Sequence, residues 1–109
     1  MGQDFYCEEV LSGNIEVDKF YETASTLAYY HTRPFYEVHI VAIPKVHIPS
    51  FTTVEAKHKN TLDELVETVQ HVASTIEAEY GACRVMTNLG AYQESKHLHW
   101  HIVHGEKIK

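Results

Sequence analysis

The sequence is poor in the features that mark secreted and membrane proteins. Its two cysteines, Cys7 and Cys83, lie far apart in the chain, so a disulfide framework is excluded and a reducing compartment is expected. No apolar run approaches the roughly 20 residues of a membrane-spanning helix, and no signal peptide is recognisable. We therefore expect a soluble, cytoplasmic protein without a membrane partner.

Positive charge is also scarce. The chain has 9 Lys and Arg against 15 Asp and Glu, a formal net charge of −6, and it has no basic cluster. A protein that binds nucleic acid by neutralising its phosphates needs the opposite balance. We expect no nucleic-acid partner, although a small anionic ligand could bind locally through histidines or backbone N–H groups.

What the chain does have is a globular composition rich in histidine. Its 109 residues, 44% of them hydrophobic, suit a single domain over residues 1–109. Such a small domain buries a modest share of its surface, so dimerisation would help it. The 9 histidines are unusual for this length, and they make the net charge rise steeply as the pH falls.

The apolar periodicity predicts an α+β order of elements. The capping signals are Asp4 and Gly13 around the first helix and two capping boxes, Thr52 with Glu55 and Thr61 with Glu64, around the long one. The predicted elements are a short helix over 5–12, a hairpin of strands 17–22 and 25–31, a central strand over 38–43, a helix over 53–80, and strands 83–89 and 97–103. A helix over 17–30 is the alternative to the hairpin. Short loops favour antiparallel pairing, with the long helix covering one face of the sheet.

The most informative stretch is the last predicted strand, where histidines alternate with apolar residues. On a strand, His97, His99 and His101 share one face, while the apolar residues between them face the core. Neighbours in this row are roughly 7 Å apart, so one metal ion could take two of them but hardly all three. A nucleophilic imidazole with imidazole neighbours fits the row better than a metal site or a merely exposed strand.

The pattern His-φ-His-φ-His-φ-φ, where φ is apolar, resembles the signature of the histidine triad (HIT) superfamily. Three further blocks resemble the family in the same order: the first helix over 5–13, residues 38–45 with a histidine and a closing Ile-Pro-Lys, and residues 84–88 ending in Asn. The resemblance implies a HIT-like fold with a five-stranded antiparallel sheet, a short N-terminal helix and one long helix. It also implies a homodimer.

The resemblance implies a nucleotide hydrolase or nucleotidyl transferase that cleaves at the α-phosphate of a phosphoramidate or a dinucleoside polyphosphate. His99 would be the nucleophile of a covalent nucleotidyl-histidine intermediate, oriented by the backbone carbonyl of His97. His101 would stabilise the phosphate oxygens, His39 would complete the cluster, and Asn88 would lie near the phosphates. A purine nucleotide or nucleotidyl conjugate is the implied partner, and no cofactor is required.

Two departures from the family pattern support an alternative, a nucleotide-binding or interaction module with little or no catalysis. The loop before the triad keeps Gln93, but the family's serine is replaced by Glu94 or displaced to Ser95. The family's ribose-binding Asp falls at His31, followed by Thr32, and an imidazole cannot accept two hydroxyls as a carboxylate does. The substrate-binding candidates are therefore Asn88, Gln93, Ser95, His31 and Thr32.

Some family members carry a structural zinc, and this chain has candidate ligands in similar places. They are Asp4, Cys7, His47 and His97. Asp4 replaces a thiolate, which weakens a soft site. A catalytic metal is not expected, and the alternative for Cys7 is a small buried apolar side chain.

Overall fold

The computed structural model describes residues 5–109 and shows an antiparallel sheet with one long helix packed on one face. The helix, α1, spans Lys59–Tyr80. The strands are β1 (Lys19–Glu22), β2 (Thr26–Tyr30), β3 (Tyr36–Pro44), β4 (Arg84–Met86) and β5 (Trp100–Lys107), in the spatial order β1-β2-β3-β5-β4. The predicted α+β architecture with five antiparallel strands is confirmed.

The first two strands form the predicted hairpin, so the alternative helix over this region is wrong. Leu27 pairs with Glu22 across the turn, and the Thr23 hydroxyl accepts hydrogen bonds from the backbone N–H groups of Ser25 and Thr26. β2 is almost entirely buried, with Tyr29 only 1% exposed. Aromatic and β-branched side chains on a pleated, buried surface favour a strand over a helix.

The central pair, β3 and β5, brings the two histidine-bearing strands side by side. Val41 lies opposite His101, and His39 lies opposite Val103, in antiparallel register. Because alternate side chains point to opposite faces, His39 and His101 emerge on the same face of the sheet. The other face, with Ile40 and Ile102, forms the core against α1.

α1 buries one apolar face against the sheet but begins later than the predicted residue 53. Leu65, Val72 and Ile76 are buried against the sheet, whereas Val66 is 43% exposed. Before Lys59 the chain makes two 3₁₀ turns, Phe51–Thr53 and Ala56–His58, separated by extended backbone.

Both predicted capping boxes are wrong. Ser50 and Thr53 form the box that caps the first 3₁₀ turn, so Thr52 with Glu55 does not. α1 begins after His58 without a side-chain cap, and the Glu64 carboxylate accepts a hydrogen bond from the Ser25 hydroxyl instead. The Glu64 side chain thus makes a tertiary contact instead of the capping contact that the local sequence pattern predicted.

The N-terminal helix is shorter than predicted and is a π-helical turn, Tyr6–Val10. It buries Tyr6 and Val10 on the sheet face opposite α1, where Leu11 also packs, whereas Phe5 is exposed. Gly13 follows with φ +86°, a conformation suited to glycine, as expected for a helix stop. The predicted N-cap Asp4 lies outside the described residues.

The last two strands are also shorter or shifted. β4 covers only 84–86 of the predicted 83–89, and β5 begins at Trp100 rather than His97. The backbone before β5 turns to another partner, because the Leu98 N–H donates to the Ile48 carbonyl. No helix among residues 5–109 is long and apolar enough to cross a membrane.

Candidate functional site

A cleft of about 1010 Å³ opens on the sheet face opposite α1. Imidazoles from three parts of the chain meet in it: His31 after β2, His39 in β3, and His99 with His101 around the start of β5. Its walls also carry six aromatic side chains, those of Phe5, Tyr6, Tyr29, Phe35, Tyr36 and Tyr92. A cleft of this size and composition suits a ligand with a flat ring and a polar tail.

His99 is held in a single tautomer by the backbone. Its Nδ1–H donates to the His97 carbonyl at 2.7 Å, which leaves the lone pair on Nε2. The ring packs against that of Tyr6, with 4.9 Å between centroids, and is edge-on to that of His101 at 5.0 Å. The Thr87 hydroxyl donates to the His99 carbonyl at 2.6 Å and fixes the backbone just before β5. His99 is therefore oriented by the backbone, and Nε2 is the nucleophilic nitrogen of its neutral form.

His39 and His101 form a hydrogen-bonded pair whose protons can also be assigned. The backbone N–H of Phe35 donates to His39 Nδ1 at 3.0 Å, so that nitrogen carries no proton. The proton of neutral His39 is then on Nε2, from which it donates to His101 Nδ1 at 2.8 Å. His101 must carry its own proton on Nε2. Through these two hydrogen bonds, one backbone N–H determines that His101 presents a proton donor on Nε2.

Both members of this pair stay neutral at pH 7. Burial, reinforced by the positive charge that His31 acquires on protonation, lowers the pKa of His39 to about 4. Burial, with smaller contributions from protonated His99, His39 and His31, lowers the pKa of His101 to about 3. A neutral His101 acts as an N–H donor and contributes no full positive charge.

His97 lies on the same side of the sheet but does not line the cleft. It is fully buried, and its Nε2–H donates to the Pro44 carbonyl at 2.8 Å. Its Nδ1 therefore carries the lone pair and lies 3.5 Å from the Cys7 sulfur. His97 contributes its backbone carbonyl to His99, whereas its ring belongs to a second cluster.

That second cluster joins three of the four predicted zinc ligands. One donor atom each from Cys7, His47 and His97 lie within 4.8 Å of one another, and the fourth, Asp4, lies outside the described residues. A thiolate and two imidazoles are suitable zinc ligands, and metal-bound histidine commonly donates its other N–H to a carbonyl, as His97 does to Pro44. The residues fit a structural zinc.

A third group, the imidazoles of His31, His39 and His101, also has donor atoms within 4.8 Å of one another. Here the tautomers oppose a metal, because His39 Nε2 carries the proton shared with His101 and His39 Nδ1 accepts from a backbone N–H. A cation between the rings would need a lone pair where this arrangement places a proton. We therefore assign this group to hydrogen bonding with a ligand.

The predicted substrate-binding residues divide into two sets. Asn88, Ser95, His31 and Thr32 line the cleft. Gln93 does not: it is 5% exposed, and its amide group donates to the carbonyls of Pro49 and Ser95. Gln93 therefore holds the loop before the triad in place, together with Lys96, whose ammonium group donates to two carbonyls of the same loop.

Glu94 and Ser95 differ in their surroundings. Glu94 is exposed at the cleft wall, and its negative charge opposes the lowering of the His31 pKa. The Ser95 hydroxyl accepts a hydrogen bond from the Phe5 N–H at 3.2 Å. The hydroxyl thus joins the loop to the N-terminal segment as well as facing the cleft.

Sequence reasoning missed the groups that orient the imidazoles. They are the Phe35 N–H, the Pro44 carbonyl, the Thr87 hydroxyl and the Tyr6 ring. Two of these are backbone groups, which a pattern of side chains cannot predict. Tyr6, Pro44 and Thr87 lie inside the blocks that resemble the family, but the resemblance assigned none of them a role.

The chain is similar to known proteins over most of its length. Relatives include the purine nucleoside phosphoramidase of Escherichia coli, 26% identical over 99% of this chain and 92% of that protein. Similar structures include a histidine triad protein from Clostridium difficile, 29% identical, with a TM-score of 0.80 over 97% of this chain and 93% of that one. Another is a hypothetical histidine triad nucleotide-binding protein from Sulfolobus tokodaii, 26% identical, with a TM-score of 0.79 over 92% and 67% of the two chains. The HIT domain profile itself matches residues 12–108, and the chain belongs to the HIT domain family of nucleotide-binding proteins and hydrolases.

Proposed function

We propose that the protein hydrolyses nucleoside phosphoramidates, or related nucleotidyl conjugates, at the α-phosphorus through a covalent nucleotidyl-His99 intermediate. The observation that carries this proposal is the 2.7 Å bond from His99 Nδ1–H to the His97 carbonyl. It places the lone pair on Nε2, in a cleft that can hold a nucleotide.

In the first step, the lone pair of His99 Nε2 forms a bond to phosphorus while the bond from phosphorus to the leaving amine breaks. The amine departs with the bonding electrons and takes one proton from the solvent in the cleft. The imidazole gains positive charge as the new bond forms, and the His97 carbonyl stabilises this charge through the Nδ1–H. The His101 Nε2–H would donate to a non-bridging phosphate oxygen, where negative charge concentrates.

In the second step, water attacks the same phosphorus and the bond from phosphorus to His99 Nε2 breaks. The water loses one proton to solvent, and the nucleoside monophosphate leaves with neutral His99 restored in its original tautomer. Splitting one displacement into two lowers each barrier, and the backbone carbonyl that orients His99 serves both steps.

The nucleoside would occupy the aromatic part of the cleft. Tyr6, Phe35 and Tyr36 offer ring faces for a base, and Asn88 offers a polar side chain near the imidazoles. A purine fits this surface, and the relative in Escherichia coli is named for its action on purine nucleosides. The purine preference of this chain belongs to the proposal.

A second candidate function is nucleotide binding with little or no turnover. The Ser95 hydroxyl is engaged by the Phe5 N–H, and the neighbouring wall carries the exposed carboxylate of Glu94. The Ser95 hydroxyl can still donate its proton, but its orientation is set by the Phe5 N–H, and an ionised carboxylate has no proton to give the leaving amine. A slow or absent first step would leave a nucleotide-binding protein.

The test is the release of AMP from adenosine 5′-phosphoramidate by the wild-type protein and by His99→Gln. The variant should lose at least about a thousandfold in kcat/KM, since nothing else in the cleft replaces the nucleophile. His71→Gln, an exposed histidine on α1, is the matched control and should retain wild-type activity.

Equal turnover by His99→Gln and the wild type would refute the nucleophile assignment. Nucleotide binding by calorimetry, with no AMP formed over many hours by either protein, would favour the second candidate. Mass spectrometry of the wild type quenched during turnover should show one added nucleotidyl group per chain, and His99→Gln should lack it.

The proposal includes a structural zinc held by Cys7, His47 and His97, which would tie the N-terminal helical turn to the loop before β5. Such a metal stabilises the fold and takes no part in the phosphorus chemistry. No cofactor enters the reaction itself. The homodimer and the cytoplasmic location stay predictions.

A further inference from the structure

Tyr29 lies in β2 on the sheet face that carries the histidines, two strands away from the reactive imidazoles. Tyr29 pairs with Val41, and Val41 pairs with His101. Paired residues of neighbouring strands share a face, so two inter-strand spacings of about 4.8 Å separate Tyr29 from His101. The Tyr6 ring lies between the two regions, with its centroid 6.5 Å from that of Tyr29 and 4.9 Å from that of His99.

The Tyr29 hydroxyl is the part of this side chain that faces the cleft. Tyr29 is only 1% exposed, yet it lines the cleft. Its hydroxyl makes no hydrogen bond with any residue of the described range 5–109. Every fully buried side-chain nitrogen or oxygen atom in that range has a partner. The unpartnered hydroxyl is therefore not fully buried, and it opens onto the cleft.

This hydroxyl keeps its proton. Burial raises the pKa of Tyr29, and the negative charge that Tyr6 acquires on ionisation raises it further. A protonated phenol can donate one hydrogen bond and accept another. A polar group enclosed by apolar side chains costs free energy when it has no partner, so a ligand that supplies the partner is favoured.

The surroundings of Tyr29 favour a neutral heterocycle over a phosphate. Tyr6, Tyr29 and Val41 belong to one apolar cluster, and Ile15, which also lines the cleft, packs against it. The backbone carbonyl of Glu9 accepts the Ile15 N–H at 3.1 Å, and the Glu9 side chain lines the cleft as well. A carboxylate repels a phosphate, whereas a flat neutral ring can pack on apolar side chains and still hydrogen-bond at its edge.

We propose that the Tyr29 hydroxyl hydrogen-bonds to the base of the bound nucleotide and so helps to determine which bases the cleft prefers. The inference rests on the proposed function, which places the reacting phosphate at His99 and His101. The ribose then carries the base away from these imidazoles and towards Tyr29. An aromatic face such as that of Tyr6 accepts any flat ring, whereas a hydroxyl distinguishes bases by the nitrogen and oxygen atoms at their edges.

Equilibrium binding to wild type and Tyr29→Phe tests this, because the substitution removes one oxygen atom and keeps the ring. Dissociation constants are measured by calorimetry for AMP and GMP, and for ribose 5-phosphate by competition with AMP. The loss of one hydrogen bond should weaken binding of AMP, GMP or both about threefold to tenfold. Ribose 5-phosphate has no base and should bind both proteins within about twofold.

Tyr30→Phe is the matched control. Tyr30 is the next residue of β2, its side chain points to the opposite face, and it is not among the residues that line the cleft. This variant should keep all three affinities. Without ligand, Tyr29→Phe should be at least as stable as wild type in thermal unfolding, because its hydroxyl gives up no hydrogen bond within the protein.

The inference is overturned if Tyr29→Phe binds both nucleotides as tightly as wild type, or if ribose 5-phosphate loses as much affinity as they do. A lower melting temperature of unliganded Tyr29→Phe would also count against it, since the hydroxyl would then have a structural role. None of these results depends on turnover. A protein that cleaves phosphoramidate but shows no base-dependent loss would keep the proposed function and lose this inference, and a base-dependent loss without turnover would do the reverse.

Discussion

The buried pair of His39 and His101 predicts a stability that depends strongly on pH. Both rings are almost fully enclosed, and their pKa values are lowered from 6.5 to about 4 and about 3. In the unfolded chain they titrate normally, so below pH 6.5 the unfolded state binds protons that the folded state refuses. The stability is complete above pH 6.5 and is lost as the pH falls towards the folded-state values.

The size of the loss follows from these values. Between pH 7 and pH 5 each ring costs about 2 kcal/mol in the free energy of unfolding, so the pair costs about 4 kcal/mol. His39→Gln removes one titrating group and keeps a polar side chain that can hydrogen-bond. The variant should lose only about 2 kcal/mol from this source over the same interval.

Urea unfolding at pH 7, 6 and 5 measures both curves. Every other titrating group is shared, so the difference between wild type and His39→Gln measures the contribution of His39. His71→Gln, which removes an exposed histidine on α1, should follow the wild-type curve. If wild type and His39→Gln lose the same free energy between pH 7 and pH 5, the reasoning about a neutral buried pair is wrong.

Three further predictions concern the support of the site. Thr87→Val removes the hydroxyl that donates to the His99 carbonyl and should cost about 1 kcal/mol in urea unfolding; an unchanged midpoint would show that the bond is not needed. Gly105→Ala should cost about 1–3 kcal/mol, because φ is +88° and the added Cβ would lie 2.8 Å from the Glu37 carboxylate; a stability equal to wild type contradicts this. Elemental analysis should find one zinc per chain, with chelation lowering the melting temperature of wild type but not of Cys7→Ser; a metal-free protein of equal stability would remove the zinc proposal.

The face of the sheet that carries the histidines could be predicted from alternation alone. Leu98 and Ile102 are buried in the core against α1, and His99 and His101 line the opposite side, as the period of two requires. The predicted faces are correct although the strand begins only at Trp100, because successive side chains already point to opposite faces before the strand's hydrogen bonds begin. The pattern therefore predicted the face on which each side chain lies better than it predicted where the hydrogen bonds of the strand begin.

The proton positions could not be predicted from the sequence. The nitrogen that each ring leaves unprotonated depends on a backbone group from elsewhere in the chain, such as the Phe35 N–H for His39 or the Pro44 carbonyl for His97. Such partners are set by the path of the loops, which residue spacing does not encode. The second predicted capping box is wrong for a related reason, since Glu64 bonds to Ser25, a partner remote in sequence.

Backbone groups fix the proton positions of the imidazoles. The groups that set reactivity are therefore distinct from the side chains that would recognise a ligand. The acceptor of His99, the donor to His39 and the acceptor of His97 are all main-chain groups, so exchanging the side chains at their positions need not change which nitrogen attacks or donates. Residues on the cleft wall, such as Glu94 and Arg33, are then open to variation without disturbing the reactive centre. A scaffold of this kind can be redirected to new ligands by changing its wall alone, which makes it a suitable starting point for directed evolution.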